Sequence, residues 1–211
     1  ESLNLQFHRG PDYQGEVGIN TSKDKNNFFD IKNNKSHIVN QYLGHNRLKI
    51  IDLSEKSNQP IYNNQSFLLY NGEFYNHRVI RKDLLKKGYK FKSTSDTETL
   101  LYSWAEWGVE CIQYLKGIFA FSILDKKENK LFIARDRFGV KPLYIYQKNN
   151  TIAFSSEIKA LINISNFDSS INYESIANYL TFLWSPGTNT MYNYVKKLLP
   201  GNVVEIDIKN L

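Results

Sequence analysis

The chain has 211 residues and a mass of 24.7 kDa, with 41% hydrophobic residues and a formal net charge of +6. These values suit one folded domain with a sizeable core, and 11 glycines and 5 prolines are too few for a collagen-like or low-complexity chain. No apolar stretch is long enough to span a bilayer, and the first residues do not resemble a signal peptide, so we expect no membrane partner. The single cysteine, Cys111, excludes an internal disulfide and favours the reducing cytoplasm.

The positive charge raises the question of a nucleic-acid partner. The lysines are scattered rather than clustered, which is typical of a solvated surface. Residues 116–121, Lys-Gly-Ile-Phe-Ala-Phe, superficially resemble the aromatic strand of an RNA-recognition domain, but one residue is out of register. The hydrophobic run fits a core strand better, so we expect no nucleic-acid partner.

Strands are predicted wherever β-branched or aromatic residues are bounded by Gly, Asn or Asp. In chain order these runs begin at Ile38 and continue at residues 67–70, 118–124, 130–134, 143–146, 151–154 and 203–208. Residues 126–129 and 148–150 interrupt them as hairpin turns. The polar stretch 20–36 is expected to be an exposed loop or an irregular hairpin.

Helical periodicity is less frequent. It predicts a helix over 77–87 that stops at Gly88, a helix over 97–107, a short one over 109–115, and a last one over 173–182 with Asn172 as its N-cap. Runs of strands with helices grouped between them indicate an α+β fold rather than repeated βαβ units.

The most informative segment is Asn71-Gly72-Glu73, which lies between two apolar runs. An Asn-Gly pair there is typical of a tight hairpin turn. With Arg47 upstream and Asp96 downstream, the same residues would hold a zwitterionic amino acid. The fork of Arg47 would bind the α-carboxylate and Asp96 the α-ammonium, although capping the following helix is an alternative role for Asp96.

Several motifs in this order resemble a known family. They are His-Arg-Gly-Pro-Asp at 8–12, the segments 44–52, 59–60, 71–76, 95–98 and 117–121, and later 135–144, 156–161 and 199–201. The chain resembles the glutaminase domain of class II glutamine amidotransferases, and most closely the N-terminal half of glutamine-hydrolysing asparagine synthetases.

The resemblance implies an N-terminal-nucleophile hydrolase fold, an αββα sandwich of two antiparallel sheets between helical layers. It would cover residues 1–211, with about 163–211 closing the domain and leading toward a synthetase domain. In this family Asn71 and Gly72 would form the oxyanion hole. The implied substrate-binding residues are Arg47, Ile50, Glu73 and Asp96.

The resemblance also implies a nucleophile that these residues lack. In the family it is a cysteine that becomes residue one, with its own α-amino group as the base. Cys111 lies in an apolar helical context typical of inert packing. Two explanations stay open: the N-terminal strand that carries the nucleophile is missing from this sequence, or the lineage has lost the nucleophile and binds glutamine without turnover.

The implied reaction is hydrolysis of L-glutamine to glutamate and ammonia, with the ammonia passed to an ATP-dependent synthetase domain in cis. ATP and Mg²⁺ would belong to that domain, and no cofactor is expected here. The four histidines show no metal-ligand spacing, so no metal is expected either. A sugar or another carboxylate as ammonia acceptor remains an alternative, and a homodimer remains open.

Arg9 is expected to pair with Asp12, and residues 135–137 to form a buried charge network.

Overall fold

The computed structural model describes residues 1–20, 27–29 and 40–208. Its strands are β1 Tyr13–Asn20, β2 Asn27–Phe29, β3 Gln41–Arg47, β4 Ile61–Tyr62, β5 Ser66–Phe74, β6 Gly117–Asp125, β7 Lys130–Arg135, β8 Tyr144–Lys148, β9 Thr151–Ser155, β10 Val195–Lys197 and β11 Val203–Asp207. Its α-helices are α1 Ser2–Leu5, α2 His77–Lys86, α3 Asp96–Trp107, α4 Ile158–Leu161 and α5 Tyr173–Phe182. Short 3₁₀ helices cover Phe7–Arg9, Glu55–Ser57 and Gly108–Tyr114.

The strands form one five-stranded antiparallel sheet in the order β11-β7-β6-β5-β4 and two three-stranded antiparallel sheets, β2-β1-β3 and β10-β8-β9. One face of the five-stranded sheet packs on α2 and α3, where Leu84, Leu100 and Trp104 are buried. Its other face packs on both three-stranded sheets. Helix α4 covers the outer side of β8 and β10 through Leu161.

Side-chain alternation along β5 separates these two cores. Leu68 and Tyr70 belong to the core shared with the helices, whereas Phe67 and Leu69 belong to the core between the sheets. Because successive side chains of a strand point to opposite faces, residue 72 points toward the helices and residue 71 toward the second β layer. Neighbouring residues of the Asn71-Gly72 pair therefore face opposite sides of the five-stranded sheet.

The α+β sandwich expected from the sequence is confirmed, with one difference: the second β layer consists of two separate sheets. The expected strands from 67 onward and the helices at 77, 97 and 173 are present, and Asn172 caps α5 by accepting the Ser175 N–H at 3.0 Å. The strand expected from Ile38 is described only as β3, because residues 38–39 lie outside the described part. Within 20–36 the structure describes Asn20, the last residue of β1, and β2, which pairs antiparallel with β1.

Further differences concern two helical segments and two strands. The segment at 109–115 is a 3₁₀ helix over Gly108–Tyr114, and on α2 the apolar side chains of Val79 and Leu85 are mostly exposed. Strands β1 and β10 were not predicted, since polar and charged side chains interrupt both. In the described part of the chain, no helix is long and apolar enough to cross a membrane.

Candidate active site

A cleft of about 380 Å³ opens beside β5, within the range of about 300–1,000 Å³ typical of small-molecule sites. It gathers the end of β3, the loop after it, the middle of β5 and the start of α3. The residues that line it include Arg9, His45, Arg47, Ile50, Asp52, Gln59, Tyr70, Asn71, Gly72, Asp96, Thr97 and Lys141. The fold therefore brings together four of the predicted groups from distant parts of the sequence: Arg47, Asn71, Gly72 and Asp96.

The cleft exists because one edge of β5 loses its strand partner. Strand β4 pairs with β5 only as far as Leu68. At the next position along that edge the Gln59 side chain replaces a strand: its Oε1 accepts the Tyr70 N–H at 2.6 Å and its Nε2 donates to the Tyr70 carbonyl at 2.9 Å. Beyond Tyr70 the backbone edge faces the cleft.

The backbone N–H of Gly72 points into this opening. The N–H of Tyr70 faces Gln59, and the N–H of Phe74 donates to Asp96 Oδ2 at 3.3 Å. Peptide groups alternate along a strand, so the N–H of Gly72, midway between them, faces the same edge. The structure thus supplies a backbone donor at the position where the sequence predicted one.

The pairing of β5 with β6 indicates the same orientation for the Gly72 N–H. Gly72 pairs with Phe119, whose N–H and carbonyl both bond to Asp136, at 3.3 and 2.8 Å, and therefore face away from β5. A Cβ on Gly72 would lie 2.3 Å from the Ile118 carbonyl oxygen, so glycine is required by close strand contact. The hairpin turn expected at Asn71-Gly72 is wrong, because both residues lie within β5.

The Asn71 carboxamide is free to act on a ligand. Its side chain lines both the cleft and a smaller neighbouring cavity of about 130 Å³ between the sheets. Among the described residues it has no hydrogen-bond partner. An amide N–H₂ and a backbone N–H on adjacent residues at one opening are the elements of an oxyanion hole.

Arg47 is buried, with 6% exposure, and much of its guanidinium holds the neighbouring loop. Nη1 donates to the Ser54 carbonyl and to Asn58 Oδ1, both at 2.8 Å, and Nη2 donates to the Asp52 carbonyl. Burial lowers the pKa of Arg47, yet guanidinium remains protonated at neutral pH. Of its five N–H donors, the Nε–H and one Nη2–H have no partner among the described residues and are available to a carboxylate.

Asp96 is also buried and partly bonded. Its Oδ2 accepts the Tyr70 hydroxyl at 2.8 Å, and its Oδ1 accepts the Thr97 N–H at 3.0 Å. Burial raises the pKa of Asp96, and the hydrogen bonds from Tyr70, Phe74 and Thr97 offset this only in part. The helix-capping alternative is wrong in its simple form: Ser95 is the N-cap and accepts the Glu98 N–H at 3.2 Å.

Asp52 connects the two halves of the cleft. Its Oδ2 accepts the N–H and the hydroxyl of Thr94, at 2.7 and 3.0 Å, and its Oδ1 accepts the Ser54 N–H at 2.8 Å. Burial alone would raise its pKa, but these bonds outweigh burial and lower it. The Arg47 loop and the segment that carries Asp96 are thereby held in one arrangement.

The two remaining predicted residues, Ile50 and Glu73, differ in their position relative to the cleft. Ile50 lines the cleft and is 70% exposed, so it offers an uncovered apolar wall. Glu73 is exposed and does not line the cleft, and its alternation places it on the side of Asn71. The structure brings Ile50 to the site and leaves Glu73 at its margin.

The sequence reasoning missed His45, Gln59 and Tyr70. His45 Nε2 lies 3.0 Å from the Tyr70 carbonyl and must donate to it, which leaves Nδ1 as a bare acceptor. Burial lowers the pKa of His45 to about 4, so the ring is neutral at pH 7. Its buried Nδ1 has no partner among the described residues. No local pattern marks these residues, because their partners come from other strands.

A charge cluster fixes the N-terminal motif beside the cleft. Glu157 Oε1 accepts His8 Nε2 at 2.9 Å and Arg9 Nη1 at 3.1 Å, and its Oε2 contacts Lys159 Nζ at 3.0 Å. The predicted pairing of Arg9 with Asp12 is wrong, since Asp12 accepts the Lys49 N–H at 2.8 Å.

The cluster at 135–137 also differs from expectation. Asp136 is fully buried and accepts backbone N–H groups, including those of Val140 and Lys141 at 3.0 Å. Arg135 donates to the carbonyls of Lys141 and Gly139, both at 2.7 Å. Arg135 and Asp136 bond to main-chain groups, most of them in the turn after β7, and Arg137 is exposed, so this is not a buried network of ion pairs.

We expect Glu157→Gln to destabilise the domain by about 1 kcal/mol at pH 7, with a smaller effect in acid. Burial would raise the pKa of Glu157, but the bonds from Lys159, His8 and Arg9 outweigh it and hold the pKa at about 2. A lowered pKa stabilises the fold above the ordinary value of about 4.3, and this stabilisation is lost as the pH falls toward about 2. Urea unfolding of both proteins between about pH 7 and pH 3 measures the difference in their unfolding free energies. Exposed Glu128→Gln is the control, and a pH-independent difference would contradict the assignment.

Comparison with known proteins agrees with this architecture. The antiparallel sheets packed between helices match the N-terminal-nucleophile hydrolase fold that the sequence resemblance implies. The glutamine PRPP amidotransferase from B. subtilis, solved with ADP and GMP, superimposes with a TM-score of 0.61 at 24% identity, over 76% of this chain and 39% of that one. At that identity the likeness concerns the fold alone.

A family model for the glutamine amidotransferase domain matches residues 29–211. Asparagine synthetase [glutamine-hydrolyzing] 1 of Bacillus subtilis (strain 168) is 36% identical over 92% of this chain and 28% of its own length. Asparagine synthetase [glutamine-hydrolyzing] 3 of the same strain is 45% identical over 57% of this chain and 20% of its own length. The chain belongs to the glutamine amidotransferase domain family, and it spans under a third of each of these relatives.

Proposed function

We propose that this chain is the glutaminase domain of a glutamine-hydrolysing asparagine synthetase. It would convert L-glutamine to glutamate and ammonia and supply the ammonia to an ATP-dependent synthetase domain of the same polypeptide. One observation supports this most: Arg47, Asp96, the Asn71 carboxamide and the Gly72 N–H meet in one cleft. The names of the relatives favour asparagine synthesis over a sugar or another carboxylate as acceptor.

Each group has a defined task in this proposal. Arg47 binds the α-carboxylate and Asp96 the α-ammonium, so the side-chain carboxamide extends toward β5. Ile50 covers the methylene groups of the glutamine side chain. Glu73, at the margin, is the least supported of these assignments, and we propose that it orients the carboxamide nitrogen or the ammonia released from it.

The reaction requires a cysteine thiol and its α-amino group. The sulfur attacks the carboxamide carbon while its proton passes to the amine, and the oxyanion accepts hydrogen bonds from Asn71 and Gly72. The C–N bond then breaks as the amine returns the proton to the leaving ammonia. Water attacks the thioester carbon, which releases glutamate and restores the thiol. No cofactor is needed in this sequence of steps, and ATP and Mg²⁺ would serve the synthetase domain.

We propose that the thiol is carried by a strand that precedes residue 1 and inserts between β3 and β9. Both strands are edge strands, so their outer backbone groups are available. The cavity of about 130 Å³ between them is lined by Gly44, His45 and Asn46 of β3 and by Phe154 and Ser155 of β9. One added strand would join the two three-stranded sheets into a single layer, and the orphaned His45 Nδ1 would gain a donor.

The experiment is glutamate release from L-glutamine by the full-length protein, with residues 1–211 as the comparison. We expect turnover from the full-length protein and none from residues 1–211. Absence of turnover in the full-length protein would contradict the proposal and favour a glutamine-binding domain without catalysis.

Cys111→Ala tests the identity of the nucleophile. Cys111 is fully buried, and burial raises the pKa of its thiol to about 12, so it is neither accessible nor ionised. We expect the variant of the full-length protein to keep kcat within about twofold, since buried cysteines of this kind are inert. A loss of turnover with the fold intact, by circular dichroism, would assign Cys111 to the chemistry.

A further inference from the structure

Helix α5 and the segment that follows it carry apolar side chains that the described chain does not cover. Only Ser175 of α5 is buried. The side chains of what we call the α5 patch are mostly exposed: Tyr179 55%, Leu180 73%, Phe182 56%, Leu183 80% and Trp184 59%. The helix is held by its caps, Asn172 at the start and the Leu183 N–H bonded to the Tyr179 carbonyl at 2.8 Å at the end.

The α5 patch is large for a surface in contact with water. Aromatic side chains carry about 150–250 Å² each, so its three half-exposed rings alone present roughly 250–400 Å². The two leucines extend this toward the size that is usually functional in monomeric proteins, roughly 300–600 Å². An extended apolar area of this kind marks an interface.

A groove continues this area toward the last described strand. Lys197 Nζ lies 5.8 Å from the centre of the Trp184 ring, and Lys197 also lines a groove of about 400 Å³. Strand β11 contributes Val204 and Ile206 to that groove, and β8 contributes Ile145. The apolar surface therefore runs from α5 to the strand that leads into residue 208.

We propose that the α5 patch and this groove are the docking surface of the synthetase domain in the same polypeptide, an inference that rests on the proposed function. The relatives are several times longer than the matched region, and a tethered domain binds at a high effective concentration. Between residues 179 and 197 the charged side chains are Lys196 and Lys197, without a carboxylate. The surface fits an apolar partner with carboxylates at its edge.

The test is site-specific photo-crosslinking in the full-length protein. Leu180→p-benzoylphenylalanine places the probe in the α5 patch, and Leu85→p-benzoylphenylalanine is the control, since Leu85 is a helical leucine that is 51% exposed. We expect position 180 to cross-link to peptides beyond residue 211 in a product of monomer mass, and position 85 not to do so. Cross-links to a second copy, or none from position 180, would overturn the inference.

Cross-linking needs no turnover, so it separates the two proposals. A protein that cross-links as expected but releases no glutamate would contradict the glutaminase assignment and leave the docking surface intact. A protein that releases glutamate without the cross-link would contradict the docking surface alone.

Discussion

Replacement of Asn71 by alanine is expected to lower kcat for glutamine hydrolysis about 100- to 1,000-fold in the full-length protein, with little change in KM. The reason is that an oxyanion donor acts on charge that develops in the transition state, and Asn71 offers an amide without another partner among the described residues. The variant should fold normally, because the Asn71 side chain makes no hydrogen bond within the described part of the chain. Steady-state glutamate release measures both constants.

Two variants serve as controls for Asn71→Ala. Asn71→Asp keeps the shape but replaces the amide donor by an acceptor, so it should be impaired at least as much. Asn64→Ala removes an exposed asparagine from the turn before β5 and should leave kcat unchanged. A rise in KM with kcat intact would instead assign Asn71 to ground-state binding.

The second large effect is expected from Asp96→Asn, which should raise KM for glutamine by about 10- to 150-fold and change kcat less. Hydrogen bonds to charged groups contribute about 1.5–3 kcal/mol, and the substitution removes the charge that faces the α-ammonium while keeping the shape. Kinetics with L-glutamine give the split between KM and kcat.

Tyr70→Phe is the matched control for Asp96. It removes the hydroxyl that donates to Asp96 at 2.8 Å without altering the carboxylate itself. We expect a KM increase well below that of Asp96→Asn. Equal effects of the two variants would mean that Asp96 acts mainly as a structural partner of Tyr70.

Lysine is a better test of Arg47 than alanine. Its guanidinium holds the loop through the Ser54 carbonyl and Asn58, so alanine would disturb the wall of the cleft as well as substrate binding. Arg47→Lys keeps the charge, and comparison of its KM with its unfolding free energy separates the two roles.

Local patterns predicted the elements whose residues carry their own signal. Helix α3 and the core strands β5 and β6 combine strong periodicity with buried apolar side chains, and the turns after Asp125 and Lys148 are marked by polar residues. Strands β1 and β10 were not predicted, because pairing with other strands, rather than their own composition, makes them strands. The apparent RNA-binding aromatics, Phe119 and Phe121, are 4% and 2% exposed and belong to the core.

Five of the six predicted site residues line one cleft, but the contacts that arrange them there were not predicted. Asn-Gly is a turn signal only where a chain reverses, and here close contact with Phe119 makes the glycine necessary inside a strand. The partner of Arg9 is Glu157, 148 residues away, so adjacency to Asp12 was misleading. Gln59 and His45 act on the backbone of Tyr70 from other elements, which a linear pattern does not contain.

The most direct test is the intact mass of the protein expressed from its full gene, before and after treatment with the glutamine analogue 6-diazo-5-oxo-L-norleucine. We expect one covalent adduct, located by peptide mapping on an N-terminal cysteine ahead of Glu1, and loss of glutamate release in proportion to labelling. A full-length protein that takes no adduct, or takes it at Cys111, would contradict hydrolysis by an N-terminal cysteine in this cleft.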